Sequence, residues 1–197
     1  MKRPICGVGV NDADYAVTRN KTVDGKQIRV WQCRYYLTWV AMIKRCYDEV
    51  YHVTHPSYLD CTVCNEWLTF SSFRLWMADQ NWVGLQLDKD ILNPGANHYS
   101  PSTCIFVSRE LNMFFAYNQR KVSNLPTGVT ACRGGYIAQI SHQGVASKIG
   151  HYKTPEEAHK RYLERKSELL IDIIYELDDT EARLKKGLLK HLEILQQ

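Results

Sequence analysis

Between Gly128 and Glu157 the chain carries three short β-prone runs followed at once by a strong helix start, and few folds accept that order. The runs Gly128–Cys132, Tyr136–His142 and Val145–Tyr152 are separated by Arg-Gly-Gly and His-Gln-Gly, which suit tight turns. Alternation in Tyr136-Ile-Ala-Gln-Ile predicts one buried and one exposed sheet face. In Thr154-Pro-Glu-Glu, Thr154 caps the helix, Pro155 takes its first turn and Glu157 completes a capping box. Ala158, Tyr162, Leu169 and Ile173 then mark an apolar stripe suited to packing on the sheet. A three-stranded antiparallel sheet on one helix is expected over residues 127–175.

Charge singles out the same stretch. The net charge of the 197-residue chain is only +4. Yet residues 120–155 hold five basic side chains (Arg120, Lys121, Arg133, Lys148 and Lys153) and no acid, with His142 and His151 besides. Such a stripe is the electrostatic footprint of phosphate contact; a solvated basic face is the plain alternative. With 45% hydrophobic and 23% charged residues the composition is that of a globular chain, not a disordered one. The apolar runs are too short to cross a bilayer and no export leader is read at the start, so a cytoplasmic protein without a membrane partner is expected. The seven cysteines, an odd number, fit reduced thiols. Cys61-Thr-Val-Cys64 has the spacing of half a zinc site, with only Cys46 and Cys104 to complete it; buried thiols are the favoured reading.

Upstream, Tyr35–Asp48 has helical spacing, with Leu37, Val40, Ile43 and Tyr47 on one face. A second helix is predicted over Asn65–Ala78, turning Trp67, Phe70, Phe73, Leu75 and Trp76 mostly inward. Gly84–Leu92 reads as a strand, Asn93–Asn97 as a turn and Cys104–Val107 as another strand; Ser108 caps a helix running through Asn112 to about Asn118. At the other end, an amphipathic helix starts near Asp178 with Leu184, Leu188, Leu192 and Leu195 on one face, for internal packing or for a homodimer contact. The expected division is 1–120, a linker at 121–126, 127–175, and a terminal helix over 176–197.

The strand–loop–strand–helix order over Leu87–Asn112 presents Asp88 from a strand and Asn112 from a helix. Two hard oxygen donors so placed suit a divalent ion whose other positions go to water and a phosphate. A structural turn accounts for the same residues.

Trp39…Met42…Arg45-Cys-Tyr47, Val63-Cys-Asn-Glu-Trp67…Phe70…Phe73…Trp76 and Leu87-Asp-Lys-Asp90…Tyr99-Ser-Pro-Ser-Thr-Cys104…Asn112 together resemble the HNH-type endonucleases of bacteriophages, in order from about Gly7 to Asn118. The resemblance implies an α+β protein with a ββα-metal core, Mg²⁺ (or Mn²⁺) on Asp88 and Asn112, and hydrolysis of double-stranded DNA in a host cytoplasm. It also implies a histidine base directly after the first ligand, where this chain has Lys89. A lysine of ordinary pKa, about 10.4, holds its proton at neutral pH. Lys89 would need a depressed pKa to act as a base, or would instead bind the scissile phosphate. His98 is the nearby substitute. The alternative is a scaffold that keeps the fold and binds DNA, or a host protein, without cutting.

Thr127-Gly-Val…Tyr136-Ile-Ala-Gln-Ile…Ile149-Gly-His-Tyr-Lys-Thr-Pro-Glu-Glu-Ala-His-Lys-Arg-Tyr162 is similar to the Apetala-type DNA-binding domain. That resemblance implies a sheet laid in the major groove. Its candidate contacts are Arg133, Tyr136, Gln139, His142 and Lys148, with Arg120, Lys121 and Lys153 nearer the phosphates.

Overall fold

A computed structural model describes residues 3–115 and 124–196. The fold is α+β and divides into two compact units, Met1–Asp90 with Gly95–Phe106, and Ile91–Pro94 with Val107–Gln197.

The first unit opens with a hairpin, β1 (Thr18–Val23) and β2 (Lys26–Gln32). Its two-residue turn puts both Asp24 (φ 49°) and Gly25 (φ 74°) in the left-handed region, as a type I′ turn requires. Helix α1 (Arg34–Tyr47) buries Trp39, Met42, Ile43 and Cys46. The buried face is thus rotated from the expected one, and Leu37 is exposed. Aromatic bulk explains the rotation: Trp39 is sealed in the core, its indole N–H donating to the Trp67 carbonyl at 2.7 Å.

The helix expected over residues 65–78 is broken in two. A 3₁₀ turn (Asn65–Leu68) precedes α3 (Phe70–Ala78) because Thr69 is extended and bridges Val10. The Val10 N–H donates to the Leu68 carbonyl and the Val10 carbonyl accepts from the Phe70 N–H. Trp67, Phe70, Phe73 and Met77 are buried, while Leu75, expected inward, is 72% exposed. Short helix α2 (Glu49–Thr54) and the pairs β3 (Thr62–Val63) with β5 (His98–Tyr99), and β4 (Gln86–Asp88) with β6 (Ile105–Val107), follow, and the first unit ends within β6, at Phe106. The strand expected over residues 84–92 is therefore only three residues long; backbone bends and turns follow it.

In the second unit, β7 (Val129–Cys132), β8 (Gly135–His142) and β9 (Val145–Tyr152) form the expected antiparallel sheet, in that order. Helix α5 (Pro155–Glu176) lies on one face; Thr154 Oγ1 accepts the Glu157 N–H at 3.2 Å. Ala138 and Ala158 are both fully buried where helix and sheet meet, in one cluster with Val129. Gly128 (φ 80°) leaves no room for a side chain, since a Cβ there would lie 2.1 Å from the Tyr162 ring. The buried positions of α5 include Leu169, as expected, and also Leu170 and Ile174; Ile173 is only partly covered.

The division between units falls after Phe106, not near residue 120. Helix α4 (Arg109–Phe115), capped by Ser108 Oγ accepting from the Leu111 N–H, belongs with the sheet. Phe114 packs there against Ile140, Tyr162 and Leu169. Leu125, expected in a linker, packs on the Val129–Ala138–Ala158 cluster. Beyond a 3₁₀ turn at Asp179–Glu181, α6 (Ala182–Leu195) buries Leu184 and Leu188, the same face that a homodimer contact would need. Leu192 and Leu195 are partly covered. The Lys190 ammonium clasps the Leu92 carbonyl at 2.9 Å and Asn93 Oδ1 at 2.8 Å, which ties residues 91–94 to this helix.

Candidate nucleic-acid interface

The face of β7–β9 turned away from α5 carries no acid, and polar side chains surround Ile137 on it. Register places Thr130, Ile137 and His151 in one row across the three strands, and Gln139 opposite Lys148 in the next. Gln139 Nε2 donates to Thr130 Oγ1 at 3.2 Å, which knits the two rows. Ser141 lies farther along β8, Arg133 in the β7–β8 turn, and Lys153 between β9 and the Thr154 cap. Thr130, Arg133, Gln139, Lys148, His151 and Lys153 are all exposed.

A β-bulge sets this pattern. Ala138 pairs with Gly150 and Gln139 with Lys148, so Ile149 has no opposite residue. The extra residue lets Lys148 and His151, three apart in sequence, share the exposed face, although strict alternation would oppose them. Bulges increase the local twist of the strand pair.

Two expected contacts lie on the other side. Tyr136, Gln139 and His142 are spaced by three along one regular strand, so they alternate between faces. Tyr136 packs on the Val129–Ala138–Ala158 cluster, and the His142 ring meets Phe114 edge-on with centroids 6.0 Å apart. The structure leaves Gln139 and Lys148 on the outer face, with Arg133 exposed in the adjoining turn, and adds His151 and Thr130, which the sequence reading did not single out as contacts. Gly150 inside a strand was the available signal of a bulge. Arg120 and Lys121 lie outside the described residues.

The other candidate residues fall on the loop after β4 and on α4. Asp88 ends β4, where its Oδ1 accepts the Asp90 N–H at 2.7 Å. Asn112 lies in α4, so the two metal-ligand candidates belong to different compact units. Lys89, only 6% exposed, donates to Asp90 Oδ1 at 2.7 Å and to the Ala96 carbonyl at 2.5 Å. Its ammonium also lies 5.8 Å and 5.9 Å from the ring centres of Tyr58 and Tyr99. Burial alone would lower its pKa, but the bond to Asp90 and the charge of that carboxylate outweigh burial and raise it. Lys89 is therefore a cation at neutral pH that closes the 89–96 loop, with no lone pair to take a proton from water.

His98 stands in β5, half-buried, with Nδ1 2.8 Å from Thr62 Oγ1. That contact holds the ring by its Nδ1 nitrogen. Burial raises the thiol pKa values of Cys61 and Cys64, and pushes those of Cys46 and Cys104 up to about 12. Cys46, Cys61 and Cys104 are buried in the first unit's core, and Cys64 is partly buried against it. Among the described residues, no three His, Cys, Asp or Glu side chains form a metal-binding group. No helix among them is long and apolar enough to cross a membrane.

Comparison with protein-family models, with curated proteins and with solved structures finds no match to this chain.

Proposed function

We propose that this protein binds double-stranded DNA through the outer face of β7–β9. The observation that carries the reading is the acid-free surface of Thr130, Arg133, Gln139, Lys148 and His151, held on a sheet that α5 stiffens from behind. Cations on such a face neutralise phosphates, and the amide and hydroxyl groups between them meet base edges. The seven free thiols suit a cytoplasmic setting. Binding should fall steeply with salt, because each neutralised phosphate releases counterions. Replacing Arg133 and Lys148 by Gln should flatten the plot of log K against log salt by roughly 1.8, at about 0.9 per phosphate contact. Fluorescence anisotropy with a labelled duplex over a KCl series measures it; salt-independent binding, or none, overturns the reading.

A second reading, phosphodiester hydrolysis of the HNH type, keeps one specific support in His98, a half-buried imidazole oriented by Thr62. The Asp88 carboxylate and the Asn112 carboxamide are each oxygen donors of the kind Mg²⁺ takes, and a bound ion would supply charge stabilisation at the leaving oxygen. Lys89, protonated and tied to Asp90, takes no part as base. Plasmid nicking in Mg²⁺ or Mn²⁺ separates the two readings. Product that disappears in Asp88→Ala, His98→Ala and Asn112→Ala establishes the enzyme, and no product leaves a DNA-binding scaffold.

A further inference from the structure

The hairpin β1–β2 is the least buried part of the described chain, with every residue from Arg19 to Trp31 exposed. Its two faces differ sharply. Register puts Arg19 opposite Trp31, Lys21 opposite Ile28 and Val23 opposite Lys26 on one face. Asn20 opposite Arg29 and Thr22 opposite Gln27 occupy the other. The second face satisfies itself: Gln27 Nε2 donates to Thr22 Oγ1 at 2.8 Å, and Arg29 to Gln32 Oε1 at 3.2 Å. The first face does not. It holds three cations and no acid, together with Val23, Ile28 and Trp31, each at least 40% exposed. Val30, unpaired at a bulge, is 59% exposed beside them. Across this face the Arg19 guanidinium lies 5.2 Å from the Trp31 ring centre, a contact between two of its own members.

A solitary two-stranded ribbon is at best marginally stable in water. Large apolar side chains grouped on one of its faces mark a surface made for a partner. The partner must be anionic to meet three unopposed cations. It must also be narrow enough to be followed by a ribbon two strands wide, with strands about 4.8 Å apart. The major groove of duplex DNA, roughly 12 Å wide, admits such a ribbon and lines it with phosphates on both sides and thymine methyl groups on its floor.

We propose that β1–β2 is a second DNA-contacting arm, with Arg19, Lys21 and Lys26 on phosphates and Trp31 and Ile28 on the groove floor. The proposal rests on the DNA-binding reading given above. It extends that reading to a separate surface on the other compact unit.

The test is an anisotropy titration of the full chain with a labelled 30-base-pair duplex over a KCl series. It compares wild type with the triple variant Arg19→Gln/Lys21→Gln/Lys26→Gln and the double variant Arg133→Gln/Lys148→Gln. All five side chains are exposed, so near-ultraviolet circular dichroism should stay at wild type. The hairpin triple should flatten the salt slope by roughly 2.7, for three lost phosphate contacts at about 0.9 each. Trp31→Ala should weaken binding and leave the slope unchanged, since no counterion is released by an apolar contact. A hairpin triple with wild-type affinity and slope overturns the arm; if the sheet double is then impaired, the sheet reading stands by itself. The converse result, loss from the triple but none from the double, keeps the arm and overturns the sheet. Wild type that ignores DNA overturns both. Vesicles of phosphatidylserine and phosphatidylcholine serve as the anionic control: hairpin-dependent capture by them, with DNA binding independent of the hairpin, also overturns the arm.

Discussion

The hairpin near the start of the chain and the three-stranded sheet near its end are both antiparallel, both bulged and both faced with cations, yet they differ in what lies behind them. Behind β7–β9, helix α5 covers a face that includes Val129, Ala138 and Ile140. Behind β1–β2 is solvent. The sheet is therefore backed by a packed helix, whereas the hairpin has no packed layer to hold it. Alternation explains the difference. On β8 Ala138 and Ile140 are buried toward the helix while Gln139 and Ser141 are exposed on the other side, but on the hairpin's first face cations and apolar residues are mixed, and no single core could bury both.

Three substitutions test this contrast, beginning with the largest expected effect. Ile140→Ala removes a side chain buried with Tyr162 and Leu169, and should cost about 3 kcal/mol in a urea titration, in the range for buried Ile→Ala. A cost below about 1 kcal/mol would mean that the sheet is not held by its helix. The contrast extends to the cations, because Lys89 is paired inside while Lys21 and Lys148 are exposed. Lys89→Met should cost about 2 kcal/mol, below the range for breaking a fully buried pair because Asp90 is itself half-exposed. Its folded pKa is raised above 10.5, so its contribution to stability is complete below that value and is lost as pH rises through the folded pKa. Wild type should thus lose stability above about pH 10.5 by a margin that Lys89→Met lacks; identical alkaline profiles would refute the pairing. Smallest of all, Ile28→Ala on the hairpin should change stability by less than about 0.5 kcal/mol, as for surface substitutions in general. A change as large as that of Ile140→Ala would show that the hairpin is covered in the free protein.

Legibility in the sequence varied with how local the signal was. The three strands and capped helix of the second unit were readable almost to the residue because turns, alternation and the Thr154 cap each act within a few positions. Asp24-Gly25 between β-prone runs is an equally local signal for the hairpin. The rotation of α1 was harder to read. Leu37, Val40, Ile43 and Tyr47 formed an acceptable stripe, and only the fit of Trp39 beneath Trp67 selects the other one. The break at Thr69 depends on Val10, about sixty residues away, and no window along the chain contains both.

The candidate sites follow the same rule. Sequence alone determined which residue types were available: an acid-free basic window, a lysine where the HNH resemblance implies a histidine base, and cysteines without an evident second zinc pair. Tertiary structure decided which side each residue faces. The bulge at Ile149 brought His151 to the outer face beside Lys148, while alternation on β8 sent Tyr136 and His142 to the helix side. Asp90 and the Ala96 carbonyl turned Lys89 from an open question into a fixed interior cation. The physical reason is one of range. Propensity, capping and turn chemistry act over a few residues, whereas burial and charge pairing depend on neighbours that only the folded chain supplies.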